Sequence, residues 1–156
     1  MSSFHVRQAS REDVPRIIQL IKDLAEYEKE LESAKATPEL APLVACLGSP
    51  DAPGETIGLA IYFFNFSTWT GKPGLYLEDL YVSPEHRNLG VGKALFGHLG
   101  RVAEENECAR LDWAVLKWNA PSIAFYEKVL GAKPMDEWVG MRLETEGIQN
   151  LRKYVK

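Results

Sequence analysis

Apolar positions recur with two periods along this chain, and their order predicts its elements. Phe4-His5-Val6-Arg7 alternates, as a half-buried strand does. Val14, Ile17, Ile18, Ile21, Leu24 and Ala25 then recur at helical spacing, behind the capping-box-like start Ser10-Arg11-Glu12-Asp13 and a tolerated Pro15. The pattern ends at Tyr27-Glu28. Residues 29–42 have no clear period and leave a helix or coil open. Leu43–Leu47 predicts a strand, 48–54 a turn rich in Gly and Pro, and Thr56–Phe66 a strong strand of β-branched and aromatic residues. Thr68–Gly74 turns the chain back into a third strand, Leu75–Val82, which completes a meander.

Ser83-Pro84 breaks that strand, and a second helical face follows at Val91, Ala94, Leu95, Leu99, Val102 and Ala103. Gly97 and Gly100 inside it suggest close packing of the helix on the sheet. Arg110–Leu116 predicts another strand, and 117–122 a turn with Pro121 suited to a first helical turn. A short helix through Ile123, Phe125, Tyr126 and Val129 stops at Gly131. Trp138–Leu143 predicts a last strand, and Ile148–Val155 a helix or tail. The order β-α-(α or coil)-β-β-β-α-β-α-β implies an α/β fold on a mixed sheet, with an antiparallel meander followed by crossover units.

The 156 residues suit one domain with a substantial core. A net charge of −4 argues against a nucleic-acid partner and is compatible with a small cationic one. Cys46 and Cys108 stand in no paired or metal-ligand spacing, and both are expected to be thiols of a reducing, cytoplasmic setting. No run approaches the ~18 apolar residues of a membrane span, and no secretory signal is apparent.

Two stretches carry candidate chemistry. In Tyr76–Phe96, YLEDLYVSPEHRNLGVGKALF, a strand meets a helix through Arg87-Asn88-Leu89-Gly90-Val91-Gly92. Glycines permit close approach of a ligand, and the unpaired N–H groups of a helix start attract anions such as a pyrophosphate. The loop lacks the GxxxxGK[ST] of a P-loop and the first Gly of the dinucleotide fingerprint. The second stretch is Trp118-Asn119-Ala120-Pro121-Ser122-Ile123-Ala124-Phe125-Tyr126. Taken alone, Asn119 is a turn residue and Tyr126 a core aromatic.

Together, and in this order, the two stretches resemble the GNAT acetyltransferase superfamily. Within it the chain is most similar to the diamine (spermidine/spermine or thialysine) N-acetyltransferases, through Ile21-Lys22-Asp23-Leu24-Ala25-Glu26-Tyr27-Glu28, Trp69-Thr70-Gly71-Lys72, Tyr76-Leu77-Glu78-Asp79 and the Trp118–Tyr126 stretch. The resemblance covers most of residues 4–143, with 144–156 a C-terminal helix or tail. It implies a single GNAT-like domain, α/β, with a mixed, mainly antiparallel central sheet flanked by helices. It also implies acetyl-CoA as co-substrate, no metal, a small-molecule amine as acceptor, and a homodimer.

By the same resemblance, backbone N–H groups of Asn88, Leu89, Gly90, Val91, Gly92 and Lys93 hold the pyrophosphate, with Arg87 nearby. Leu80 and Val82 pair with the pantetheine arm as an added strand would, and Asn119 and Ser122 contact that arm. Tyr126 is the candidate general acid for the leaving thiolate. Glu78 is either the base, acting through water, or a carboxylate that attracts the cation. Tyr27 and Glu28 are candidate acceptor contacts, and Asp112, Trp113 and Ala114 candidate lining residues. Asp79, on the opposite face from Glu78 if the strand is regular, receives a structural role.

Three departures from the family pattern stand out. The segment at 36–43 is short. Glycine falls five residues after Tyr126 instead of four. The acidic residue expected before the final strand is replaced near Trp138 or Val139, which weakens the case for a long polyamine held at both ends. Acceptors that remain open are a small cationic amine, a protein or peptide amine, or none, in a non-catalytic acyl-CoA-binding module.

Overall fold

A computed structural model describes residues 3–29 and 41–155. The chain divides into two compact units, Met1–Ala114 and Val115–Lys156. In the first, β1 (Phe4–Gln8) leads to α1 (Val14–Glu28), then to β2 (Ala41–Ser49), β3 (Ala52–Ser67) and β4 (Lys72–Val82). Helix α2 (Val91–Glu105) and β5 (Leu111–Trp113) complete it. The sheet has the order β1-β2-β3-β4-β5; the first four strands are antiparallel neighbours and β5 runs parallel to β4. The mixed, mainly antiparallel sheet is the one expected. Of the ambiguous stretch 29–42, residues 30–40 lie outside the described residues.

Alternation along β2 explains how both faces are covered. Val44 and Cys46 point to one face, where they form a core with Leu59, Ile61 and Tyr81 and with Ile17, Leu20 and Leu24 of α1. Leu20 is absent from the periodic set above, yet it is fully buried, because the helix presents the Ile17-Leu20-Leu24 stripe to the sheet. Ala45 points to the other face, which α2 covers with Val91, Leu95 and Leu99. Gly58 permits that approach: a Cβ there would meet Val91 Cγ1 at 3.2 Å and Ala45 Cβ at 3.4 Å. Gly97 and Gly100 do not serve the same purpose. Both lie on the exposed side of α2 with nothing near the place of a Cβ, so their packing role is not found.

The start of α1 is anchored as its sequence predicts. Asp13 Oδ2 accepts from the Ser10 N–H at 2.7 Å, and Asp13 N donates to Ser10 O at 3.1 Å. Arg7 on β1 grips the same carboxylate with two nitrogens, at 2.7 and 2.8 Å. The cap therefore ties helix to sheet as well as ending the helix. The Arg7 hydrogen bonds, helped by those from Ser10, lower the Asp13 pKa to about 2 against the opposing effect of burial.

The second unit contains α3 (Ala120–Lys128) and α4 (Thr145–Asn150), the latter continued by a 3-10 turn, Leu151–Tyr154. The expected last strand, Trp138–Leu143, is not formed. Gly140 interrupts the segment and no strand of this unit offers it a ladder; Trp138, Val139, Met141 and Leu143 are exposed. The strand expected at Arg110–Leu116 is also shortened, to Leu111–Trp113.

Replacing Asp13 with Asn is expected to destabilise the protein by about 2 kcal/mol at neutral pH, as for loss of charge-assisted hydrogen bonds. A carboxylate whose pKa is lowered on folding stabilises above its ordinary pKa and loses that contribution as pH falls towards about 2. Urea denaturation at a series of pH values should show the native chain's advantage over the variant shrinking over that acid range.

Candidate active site

Strands β4 and β5 part company in the middle of β4. The two pair only through Leu75↔Leu111, Tyr76↔Asp112 and Leu77↔Trp113. On the other side of β4, the ladder to β3 shifts between Ile61↔Asp79 and Tyr62↔Leu77, so Glu78 is an extra, bulged residue. From Asp79 to Val82, β4 is paired with β3 alone among the described residues. An extended ligand arm can therefore use this backbone edge as a neighbouring strand would. Leu80 and Val82, the residues expected to pair with such an arm, stand on it.

At the end of this open edge lies the glycine loop. Asn88 (φ 64°) and Gly90 (φ 89°) both take left-handed conformations, flanking Leu89. Successive turns of this kind gather backbone N–H groups into a concave anion site. Gly90 is the N-cap of α2 and no side chain caps the helix, so its first N–H groups and its positive dipole end face the same region. A side chain at position 90 would meet nothing within 4 Å, so glycine is required there by φ and not by crowding. Val91 is buried as the first anchor of α2, while Lys93 is exposed.

The bulge changes the acidic end of the site. Because β4 is not regular at Glu78, the argument that separated Asp79 from it by strand alternation fails. Glu78 is exposed and Asp79 partly buried. Burial, followed by the charges of Glu78 and Glu28, raises the Asp79 pKa to about 6. Glu28 comes from the last turn of α1, and its charge reaches Asp79, so that turn lies near the bulge of β4. The end of α1 is set by Lys29, in a left-handed conformation (φ 64°), with its N–H bonded back to Glu26 O at 3.2 Å. Three carboxylates on two elements suit a cation. The contribution of Asp79 was hidden in the sequence, since nothing in Leu77-Glu78-Asp79-Leu80 announces a bulge.

Tyr27 and Arg87 belong to the same neighbourhood. Arg87 Nε donates to Val82 O at 3.0 Å, and its Cζ lies 5.1 Å from the Tyr27 ring centre and 5.8 Å from that of Tyr81. Asp112 and Trp113 stand on β5: Asp112 is paired with Arg110 at 2.9 Å, and Trp113 packs edge-on to Phe96 of α2 at 5.1 Å. Ala114 follows at the exposed end of that strand.

The second unit places the remaining candidates around α3. Asn119 is buried and caps the helix, its Oδ1 accepting from the Ser122 N–H at 3.4 Å. Ser122 and Tyr126 are partly buried on that helix, and the Tyr126 ring lies 5.6 Å from that of Phe125. Gly131 (φ 72°) turns the chain so that Ala132 N–H reaches Tyr126 O at 3.0 Å. The later glycine noted in the sequence is thus the helix's left-handed stop. Among the described residues, no group of three or more His, Cys, Asp or Glu side chains is placed to hold a metal ion.

An α/β sheet with a splayed central edge, a turn of left-handed residues and an uncapped helix start at its end, and carboxylates beside it has the geometry to suit an elongated phosphate-bearing ligand and a cationic partner. The model of the acetyltransferase (GNAT) family matches residues 9–132, and the chain belongs to that family. It is 36% identical over 169 aligned positions to a thialysine N-epsilon-acetyltransferase of Sus scrofa, covering 97% of this chain and 98% of that one. It is also 34% identical to a spermidine/spermine N(1)-acetyltransferase-like protein 1 of Homo sapiens, over 81% of this chain and 20% of that longer one. An integron cassette protein from the V. cholerae mobile metagenome shares the fold, with a TM-score of 0.78 at 23% identity, covering 98% of this chain and 99% of that one. The chain is an acetyl-CoA-dependent amine N-acetyltransferase by this family membership and these relatives.

A carboxylate whose pKa is raised on folding favours the folded state at low pH and loses that effect as pH rises through about 6. The variant Asp79→Asn is therefore expected to melt above the native chain at about pH 7.5, with the difference vanishing near pH 4. Differential scanning calorimetry at the two pH values checks this; an equal difference at both would show that the charge of Asp79 is not the cause.

Proposed function

We propose that the protein transfers the acetyl group of acetyl-CoA to a primary amine of a small cationic molecule of the thialysine or diamine class, by direct attack in a ternary complex. The observation that carries this reading is the meeting of Glu28, Glu78 and Asp79 beside the open edge of β4. Carboxylates there attract an alkylammonium, and the edge and glycine loop suit a pantetheine arm and its pyrophosphate. The full-length likeness to a thialysine acetyltransferase supports the same acceptor class.

In this reading the N–H groups from Asn88 to Lys93 hold the pyrophosphate, and the backbone of Leu80 and Val82 pairs with the pantetheine arm. Asn119 and Ser122 contact the arm as well. The ammonium loses a proton, through water, to Glu78, and the free amine attacks the thioester carbonyl carbon. A C–N bond forms and the electron pair moves to oxygen, where a backbone N–H near Leu80 stabilises it. Collapse breaks the C–S bond, and Tyr126 gives its proton to the departing thiolate. A phenol with a pKa near about 10 matches both the ammonium and the thiol in basicity. Tyr27 and Glu28 hold the acceptor; Asp112, Trp113 and Ala114 line its site. Neither Cys46, which is buried in the core, nor Cys108 takes part, so no acyl-enzyme forms. A homodimer in the cytoplasm is the expected setting.

Thiol release from acetyl-CoA, measured against thialysine, spermidine, putrescine and a lysine peptide, tests the proposal. Turnover is expected with thialysine or a diamine, and Tyr126→Phe is expected to lower kcat about 100-fold with KM for acetyl-CoA little changed. Preference for the peptide would move the acceptor class to proteins. Acetyl-CoA binding without turnover of any acceptor would identify a non-catalytic module.

A further inference from the structure

Arg87 stands at the first position of the RxxGxG loop, where a phosphate contact is the obvious role for a cation. Its guanidinium is instead committed to groups of β4 and α1. Nε bonds the Val82 carbonyl at 3.0 Å, and Cζ lies within cation–π range of two tyrosines, 5.1 Å from the ring centre of Tyr27 and 5.8 Å from that of Tyr81. Tyr81 is buried and belongs to the core that α1 forms with the sheet. Tyr27 lies in the last turn of α1, next to Glu28, and is partly exposed. One side chain therefore joins the last residue of β4, the core under α1 and the exposed end of α1.

We propose that Arg87 is a positioning residue: a planar strut that fixes the acceptor-binding turn Tyr27-Glu28 against the cofactor loop, acting on acceptor affinity through Tyr27. This rests on the reading of Tyr27 and Glu28 as acceptor contacts. Tyr27 and Glu28 form the last turn of α1, which closes at the left-handed Lys29, and the end of a helix is where local opening is easiest. A guanidinium, moreover, can stack its face on a ring while an edge N–H bonds a carbonyl, whereas an ammonium has no such plane. The sheet side of the strut is rigid, being a paired strand end and a buried ring, so it is the α1 side that gains order.

Steady-state kinetics of the full chain with thialysine and acetyl-CoA, for Arg87→Gln, Arg87→Lys, Tyr27→Leu and the double variant Arg87→Gln/Tyr27→Leu, separates a strut from a phosphate ligand. Each Arg87 variant is expected to raise KM for thialysine about fivefold, with KM for acetyl-CoA within about twofold of native. Tyr27→Leu should add less on the Arg87→Gln background than alone, since both remove one contact. A rise in KM for acetyl-CoA in Arg87→Gln that Arg87→Lys restores would overturn the proposal in favour of a phosphate contact. So would unchanged kinetics in both variants.

A second measurement needs no turnover. Hydrogen exchange of the Leu24–Glu28 amides should be about fivefold faster in Arg87→Gln than in the native chain, with no substrate present. Equal exchange overturns the strut whatever the kinetics show. Faster exchange in a chain that acetylates no amine would sink the enzymatic reading and leave the strut standing.

Discussion

The parting of β4 from β5 is the constraint on which the rest of this molecule depends. Up to Leu77 the central strand is paired on both sides. At Glu78 it gains a residue relative to β3, and from Asp79 to Val82 it is paired with β3 alone among the described residues. A strand in the interior of a sheet normally has no backbone to spare for a ligand. Here, the divergence supplies N–H and C=O groups in extended conformation, next to a helix start whose N–H groups are uncapped. In the proposed reading, ligand binding and incomplete sheet pairing are one feature. The sheet can sustain it because α1 and α2 bury its two faces on either side of the gap.

The same bulge also sets the electrostatics. It breaks the alternation that would have sent Glu78 and Asp79 to opposite faces, and it leaves Asp79 partly buried within the fields of two other carboxylates. Such a group holds its proton more tightly than an ordinary aspartate, and a bound cation would reverse that by favouring the charged form. If the acceptor binds there as proposed, its charge and the local stability are linked, because an ammonium would offset the repulsion that raises the Asp79 pKa. An acidic cluster costs folding free energy, and the capped, doubly bonded Arg7–Asp13 anchor at the other end of α1 is of the kind that offsets it.

The first unit was largely legible in the sequence because its elements satisfy local rules. Alternation in Phe4–Arg7 and the β-branched and aromatic residues of Thr56–Phe66 gave strands, the Ser10-to-Asp13 box gave a helix start, and the glycines after Arg87 marked the loop before α2. Misjudged were features that depend on a partner. The Trp138–Leu143 segment is apolar enough for a strand, but a strand exists only where another offers its hydrogen bonds. Gly97 and Gly100 looked like packing contacts, but helical phase puts them outward. Gly58 has that role, and nothing in Ile57-Gly58-Leu59 distinguishes it.

What the sequence by itself determined was the inventory and its order: which stretches are strands or helices, where the glycine loop lies, and which family the chain resembles. These follow from period, turn chemistry and short motifs, all properties of neighbouring residues. Only the tertiary structure decided that Asp79 joins Glu78 and Glu28, that the edge of β4 is open from Glu78 onward, and that Arg87 lies over Tyr27 and Tyr81. Each of these rests on the register between strands or on the approach of α1 to β4, between residues far apart in the chain. Register and approach are set by the packing of whole faces, and no local pattern encodes a one-residue slip between two strands.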